Sequence, residues 1–224
     1  MEGLMRLKAM AKINLGLDVL GKREDGYHEV RMIMQTIRMY DILDIRKTRR
    51  PGIVLTTNLP FIPTDQRNLV YKAAQMLMEE FDVEEGLSIK LRKFIPVAAG
   101  MAGGSSDAAA AFVGVNRMFH LGLTEEQLME RAVKVGADVP YCIMRGTALA
   151  EGIGEKLTRL PEVPKCYVLI GKPGINVSTK TAYENLNLAG IGKHPDIDGL
   201  IRDIEDGDLY AMASKMENVF EPGI

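Results

Sequence analysis

The run Pro96-Val97-Ala98-Ala99-Gly100-Met101-Ala102-Gly103-Gly104-Ser105-Ser106 packs three glycines and three alanines directly ahead of an alanine-rich stretch. Small side chains let backbone N–H groups close on an anion, and a helix N-terminus adds unpaired donors and the positive end of its dipole. The run therefore reads as a phosphate cradle, the alternative being a flexible connector before a well-capped helix. It is not a Walker loop, because no lysine follows the second glycine. It is not GxGxxG either, because Ala102 stands in the middle glycine's place.

A carboxylate follows in Gly136-Ala137-Asp138-Val139-Pro140. Phosphoryl transfer to an alcohol needs a group that orients the hydroxyl and accepts its proton, and Asp138 can do this; a plain turn aspartate is the competing reading. Lys12 opens an alternating segment as either a solvated strand-end lysine or, beside an aspartate, a cation that neutralises transferring phosphate. Gly26-Tyr27-His28 joins a turn glycine to a stacking ring and an imidazole with two hydrogen-bonding nitrogens, a set able to hold a nucleobase, although such residues in turns are more often surface groups. Tyr183 reads as a helix packing residue or a second stacking ring. His120 and His194 have no partners at ligand spacing and receive no role.

These residues need elements to hold them. Ile13, Leu15, Leu17 and Val19 alternate with Asn14, Gly16 and Asp18, and alternation resumes at Val30, Met32 and Met34, so residues 4–47 read as antiparallel strands. Ile53–Thr57 adds another. Leu69, Ala73, Met76, Leu77 and Phe81 recur at helical spacing, and Leu87, Ile89 and Leu91 form a strand leading into the glycine-rich run. A helix is expected over Ser105–Phe119, with Ser105, Ser106 and Asp107 as capping and first-turn residues. A third opens at Thr124, where Thr124 and Gln127 match a capping box, and stops at Gly136. Ala148–Glu151, Cys166–Gly171 and helical stretches near Thr179–Leu186, Ile197–Ile204 and Leu209–Phe220 suggest a second α/β layer. Leu186–Pro195 reads as a surface loop.

The 224 residues carry 28 basic and 30 acidic side chains, a formal net charge of -2, so no bulk basic field draws the chain to nucleic acid. A small ligand is the expected partner. Cys142 and Cys166 match no CxxC spacing, which argues against a zinc cluster or disulfide framework and for a reduced, cytoplasmic protein. The opening residues lack the apolar core of a signal peptide, and no run is long enough to span a bilayer.

Taken in this order, the segments resemble the GHMP kinase superfamily. Ala11-Lys12-Ile13-Asn14-Leu15, Gly21 to His28, the Pro96–Ser106 run and Gly136 to Pro140 look like its branch that phosphorylates 4-diphosphocytidyl-2-C-methyl-D-erythritol in non-mevalonate isoprenoid synthesis. The resemblance implies an α+β fold of two domains. Residues 1–145 would form an N-terminal ATP-binding domain, of a β-α type also found in a ribosomal protein, and 146–224 part of a C-terminal α/β domain. Family members carry a third glycine-rich motif past the segment matching Glu217–Glu221. The implied activity is transfer of the ATP γ-phosphate to the 2-hydroxyl of the methylerythritol unit. Asp138 would be the catalytic base with Lys12 beside it, and Asn14 would lie near the substrate. Tyr27, His28 and Tyr183 would bind cytosine, while Lys93, Pro96, Gly100, Gly103, Gly104, Ser105 and Ser106 would line the ATP site. Magnesium is expected with ATP, with Ser106 its one candidate contact and no protein metal cluster. On the residues alone, a binding module of the same fold without turnover stays open.

Overall fold

The computed structural model describes residues 3–174, 182, 183 and 185–221; the start of the helical stretch expected at Thr179 lies outside them. Two compact units are each assembled from separate pieces of chain. The first takes the residues up to Lys12, Ile37–Val97 and Met101–Met144. The second takes Ile13–Thr36, Ala98–Gly100 and the described residues from Arg145 onward. Two long strands, β1 (Met5–Lys22) and β2 (His28–Thr48), contribute to both.

In the first unit β2 pairs antiparallel with β4 (Gly86–Arg92), and β3 (Ile53–Thr57) runs parallel to β4. Register sets Leu43 opposite Leu91 and Ile45 opposite Ile89, so the apolar set of both strands falls on one face, and all four are fully buried. Helix α1 (Leu69–Glu80) is started by Asn68, whose side chain accepts from the Val70 amide, and it buries Val70, Ala73, Ala74 and Leu77. It packs on α2 (Gly103–Met118), whose alanines 108–111 permit close approach while Phe112 and Val115 fill the core.

Three features of this unit depart from the sequence reading. Helix α2 starts two residues early, capped by the backbone of Ala102 in the left-handed region at φ 53°, and no side chain caps it. Ser105, Ser106 and Asp107 therefore lie inside its first turns rather than capping it. Helix α3 (Glu125–Ala132) has the expected Thr124–Gln127 capping box but ends four residues before Gly136. A short buried helix follows, α4 (Val139–Met144), packed on α2 and α3. Its Pro140 is tolerated because a proline in a first turn sacrifices no intrahelical hydrogen bond.

In the second unit β2 pairs antiparallel with β5 (Thr147–Gly152), which pairs antiparallel with β6 (Lys156–Leu160). Helix α5 (Ile197–Asp206) is capped by the Asp196 carboxylate on the Gly199 amide at 2.8 Å and closed by Gly207 in the left-handed region. Its Ile197, Leu200 and Ile204, with Met212 of α6 (Leu209–Lys215), close on Leu15 and Ile33. The seat is tight: a Cβ on Gly16 would lie 2.9 Å from Ile197 Cδ1. Helix α6 stops at Lys215, short of Phe220, because Met216 turns extended and Glu217–Asn218 pair with β1 as the two-residue strand β7. Cys166–Gly171 forms no strand. Tyr167 and Leu169 are fully exposed, and this apolar run joins no ladder among the described residues. A single turn, Leu188–Gly190, punctuates the otherwise irregular Leu186–Pro195.

Strand β4 aims the chain at the glycine-rich run, and Gly86 sets its start, where a Cβ would lie 1.8 Å from the Arg50 carbonyl oxygen. Backbone cannot move aside as a side-chain tip can. Gly86→Ala is expected to cost about 3 kcal/mol of stability by overpacking, read from urea unfolding. A loss within experimental error would show that the 49–52 turn does not brace β4.

Candidate active site

The glycine-rich run leaves β4 and enters α2 through three residues in the left-handed region: Ala98 at φ 54°, Gly100 at 68° and Ala102 at 53°. Only glycine adopts this conformation freely, and each alanine there costs about 1–2 kcal/mol. Alternating left-handed residues are the backbone pattern that turns successive amides to one side. The first intrahelical bond of α2 is from the Ser106 amide to the Ala102 carbonyl at 2.8 Å, so the amides of Gly103, Gly104 and Ser105 precede the helical ladder. Gly104 and Gly100 are exposed, and Pro96 and Ser105 half-buried.

Lys93 and Ser106 take supporting places rather than lining ones. The Ser106 hydroxyl is buried and donates to the Met10 carbonyl of β1. The Lys93 ammonium, 5% exposed, donates to Asp41 Oδ2 and, at 2.6 Å, to Asp107 Oδ2. Asp41 Oδ1 also accepts from the amides of Phe94 and Ile95, and Asn58 accepts from the Lys93 amide and donates to its carbonyl. A Cβ on Gly103 would come within 3.1 Å of Lys93 Nζ, so the first residue of α2 rests on this ammonium. One cation thus faces two buried carboxylates. Burial pushes the Asp107 carboxyl well above the usual range, Lys93 opposing and Asp41 adding to the shift, and Asp107 Oδ1 has no hydrogen-bond partner.

Lys12 and Asp138, 126 positions apart in the sequence, meet in this unit with Nζ 3.7 Å from Oδ2. Lys12 is 4% exposed, and its amide donates to the Met101 carbonyl at 3.2 Å, fastening β1 to the end of the glycine-rich run. The Asp138 carbonyl accepts the first helical bond of α4, from the Cys142 amide at 3.1 Å, so the side chain projects from the start of a wholly buried helix. About a third of that side chain, 32%, stays open to solvent. An oriented carboxylate beside an ammonium can accept a proton while the cation faces developing negative charge.

In the second unit Gly26, at φ 86°, turns the chain from β1 into β2, with the Tyr27 amide donating to Asp25 Oδ1 at 3.1 Å. Tyr27 is 59% exposed, while His28 starts β2 and stands 5.0 Å, ring centre to ring centre, from Tyr183. Phe220 also meets Tyr183, in a T-shaped arrangement at 4.8 Å and 77°. Asn14 is half-buried on β1. His194, given no role from sequence, lies 2.8 Å through Nδ1 from Asp18 Oδ1 across 176 positions.

Among the described residues no helix is long and apolar enough to cross a membrane, and no three His, Cys, Asp or Glu side chains converge as a metal set. A family model described as the GHMP kinases N terminal domain matches residues 68–146. A 4-diphosphocytidyl-2-C-methyl-D-erythritol kinase of Lachnospira eligens is 55% identical over 97% of this chain and 75% of its own length. One from Caldicellulosiruptor bescii is 52% identical over 97% and 76%. Among solved structures, a 4-(cytidine 5'-diphospho)-2C-methyl-D-erythritol kinase superposes with a TM-score of 0.77 at 29% identity, covering 97% of this chain and 76% of that one. The homoserine kinase of Cytophaga hutchinsonii shares the fold at a TM-score of 0.73 and 18% identity, over 99% and 74%.

Two outcomes follow from the buried cluster. Lys93→Met strands two carboxylates and is expected to cost about 3–5 kcal/mol, measured by chemical denaturation. The Asp107 carboxyl is raised above its ordinary 3.8, so the native state holds its proton more tightly than the unfolded chain. Its contribution is then complete below pH 3.8 and lost as pH rises through the folded-state value. Asp107→Asn, which mimics the neutral acid, should remove that loss; superimposable stability-against-pH curves for the two proteins would refute it.

Proposed function

Because the chain belongs to the 4-diphosphocytidyl-2-C-methyl-D-erythritol kinase family, we propose that it transfers the γ-phosphate of ATP to the 2-hydroxyl of that substrate, in non-mevalonate isoprenoid precursor synthesis. The observation that carries the mechanism is the Lys12–Asp138 pair set beside the end of the glycine-rich run. Asp138 accepts the proton of the substrate hydroxyl as the new O–P bond forms and the bond to ADP breaks. Lys12 holds its cation toward the charge on the transferring group.

The amides of Gly100, Gly103, Gly104 and Ser105 suit phosphate oxygens: three precede the helical ladder, and the fourth sits in a left-handed turn. Pro96 opens the run. Lys93 and Ser106 act behind it, tying it to β4, β2 and β1. Magnesium, which neutralises charge on ATP, would be held chiefly by the nucleotide's own phosphates, since the Ser106 hydroxyl is buried and committed to the Met10 carbonyl. His28 and Tyr183 hold the cytosine by ring contact and edge hydrogen bonding, Tyr27 adds a further ring, and Asn14, two residues beyond Lys12 on β1, contacts the methylerythritol unit.

The test is mass detection of phosphorylated product from ATP, magnesium and 4-diphosphocytidyl-2-C-methyl-D-erythritol, with mevalonate and homoserine as controls. Product from the first alone is expected. Asp138→Asn should lower kcat by about 10²–10⁴-fold. The KM for ATP should stay within about threefold, because Asp138 serves the proton rather than the nucleotide. ATP binding with no product from the unsubstituted chain would instead mark a binding module.

A further inference from the structure

Resting on the cytosine reading above, we propose that Phe220 is a positioning residue for base recognition, which presets the ring plane of Tyr183. The Tyr183 ring has two aromatic neighbours: His28 at 5.0 Å and 32°, and Phe220 at 4.8 Å and 77°. The second geometry is edge-to-face, in which the positive rim of one ring meets the negative face of the other and tilts of either are opposed.

Phe220 is itself held. β7 runs parallel to β1 with Glu217 and Asn218 in register with Gly16 and Leu17, and the Val219 amide donates to the Leu17 carbonyl at 3.1 Å. The Phe220 amide donates to Asn218 Oδ1 at 3.1 Å, and both Val219 and Phe220 are buried. Backbone on the N-terminal side of this ring is thus fastened to the strand that carries Asn14. Tyr183 takes its orientation from a fixed ring, and a ring whose plane is set before binding spends less conformational freedom when a base stacks on it. Nothing in the spacing of Glu217-Asn218-Val219-Phe220-Glu221 reveals this, because Tyr183 lies 37 positions upstream of Phe220.

The experiment titrates the full chain with cytidine 5′-diphosphate, uridine 5′-diphosphate and ATP, by calorimetry. Wild type should prefer the cytidine nucleotide. Phe220→Leu and Phe220→Ile keep apolar volume without a ring and should each weaken cytidine diphosphate binding about three- to tenfold. Phe220→Tyr should restore it, and ATP affinity should not change in any variant. Unchanged cytidine diphosphate affinity in both ring-free variants overturns the proposal and leaves the cytosine reading standing. Parallel loss of cytidine diphosphate and ATP affinity also overturns it, since that marks a general structural role. A wild-type chain that does not distinguish cytidine from uridine diphosphate overturns both.

Discussion

The end of the first unit that carries the glycine-rich run depends on one buried ammonium. Lys93 sits where β4 gives way to the glycine-rich run, and its side chain reaches two carboxylates, one from β2 and one from the second turn of α2. Burying such a cluster is costly, and apolar packing of equal volume would serve stability as well or better. What apolar packing cannot do is fix direction. Here the backbone of Lys93 to Ile95 is fastened by Asn58 and Asp41, while the side chain of the same lysine underlies Gly103. Both ends of the run 96–102 are therefore tied to one point, which is how two alanines are kept in a conformation that would relax in a free loop.

A division of labour follows from burial. Lys93, Asp41 and Asp107 are closed to solvent and hydrogen-bonded to one another, so their charges are committed to structure. Lys12 and Asp138 stand 3.7 Å apart, beyond hydrogen-bonding distance, with the carboxylate partly open. A carboxylate with an uncommitted lone pair and a rigid mount can accept a proton; one that already receives an ammonium and two amides, as Asp41 does, cannot without breaking the fold. Burial of the carboxylate thus separates two lysine–aspartate groupings of similar composition, one wholly closed and one whose carboxylate stays 32% exposed, as the proposed base requires.

Sequence alone made the local parts legible. The spacing of Leu69 to Phe81, the alternation of Leu87 to Leu91 and the Thr124–Gln127 box each rest on interactions within a few residues, and α1, β4 and α3 formed accordingly. The glycine-rich run announced itself through small side chains. What stayed hidden was set by distance along the chain. Asp41 reaches Lys93 across 52 positions and Phe220 reaches Tyr183 across 37, and neither leaves a periodic trace. Cys166–Gly171 shows the opposite error, a strand-forming composition that pairs with no strand among the described residues.

Strand β1 shows why the polar half of an alternating pattern can be the informative half. Lys12, Asn14, Gly16 and Asp18 occupy the positions that a half-buried strand would give to water, yet Lys12 and Asp18 are 4% and 5% exposed. Each has a specific neighbour: Asp138 for Lys12, Ile197 against Gly16, and His194 with the Val19 amide for Asp18. A polar residue covered on such a face must be satisfied there or it destabilises the strand, so Lys12 and Asp18 are constrained as tightly as the leucines between them. From Leu15 to Val19 every residue of the strand is buried, so its polar face is filled as completely as its apolar one. At Lys12 the same polar face meets Asp138, whose side chain stays 32% exposed, the one opening the proposed proton transfer needs.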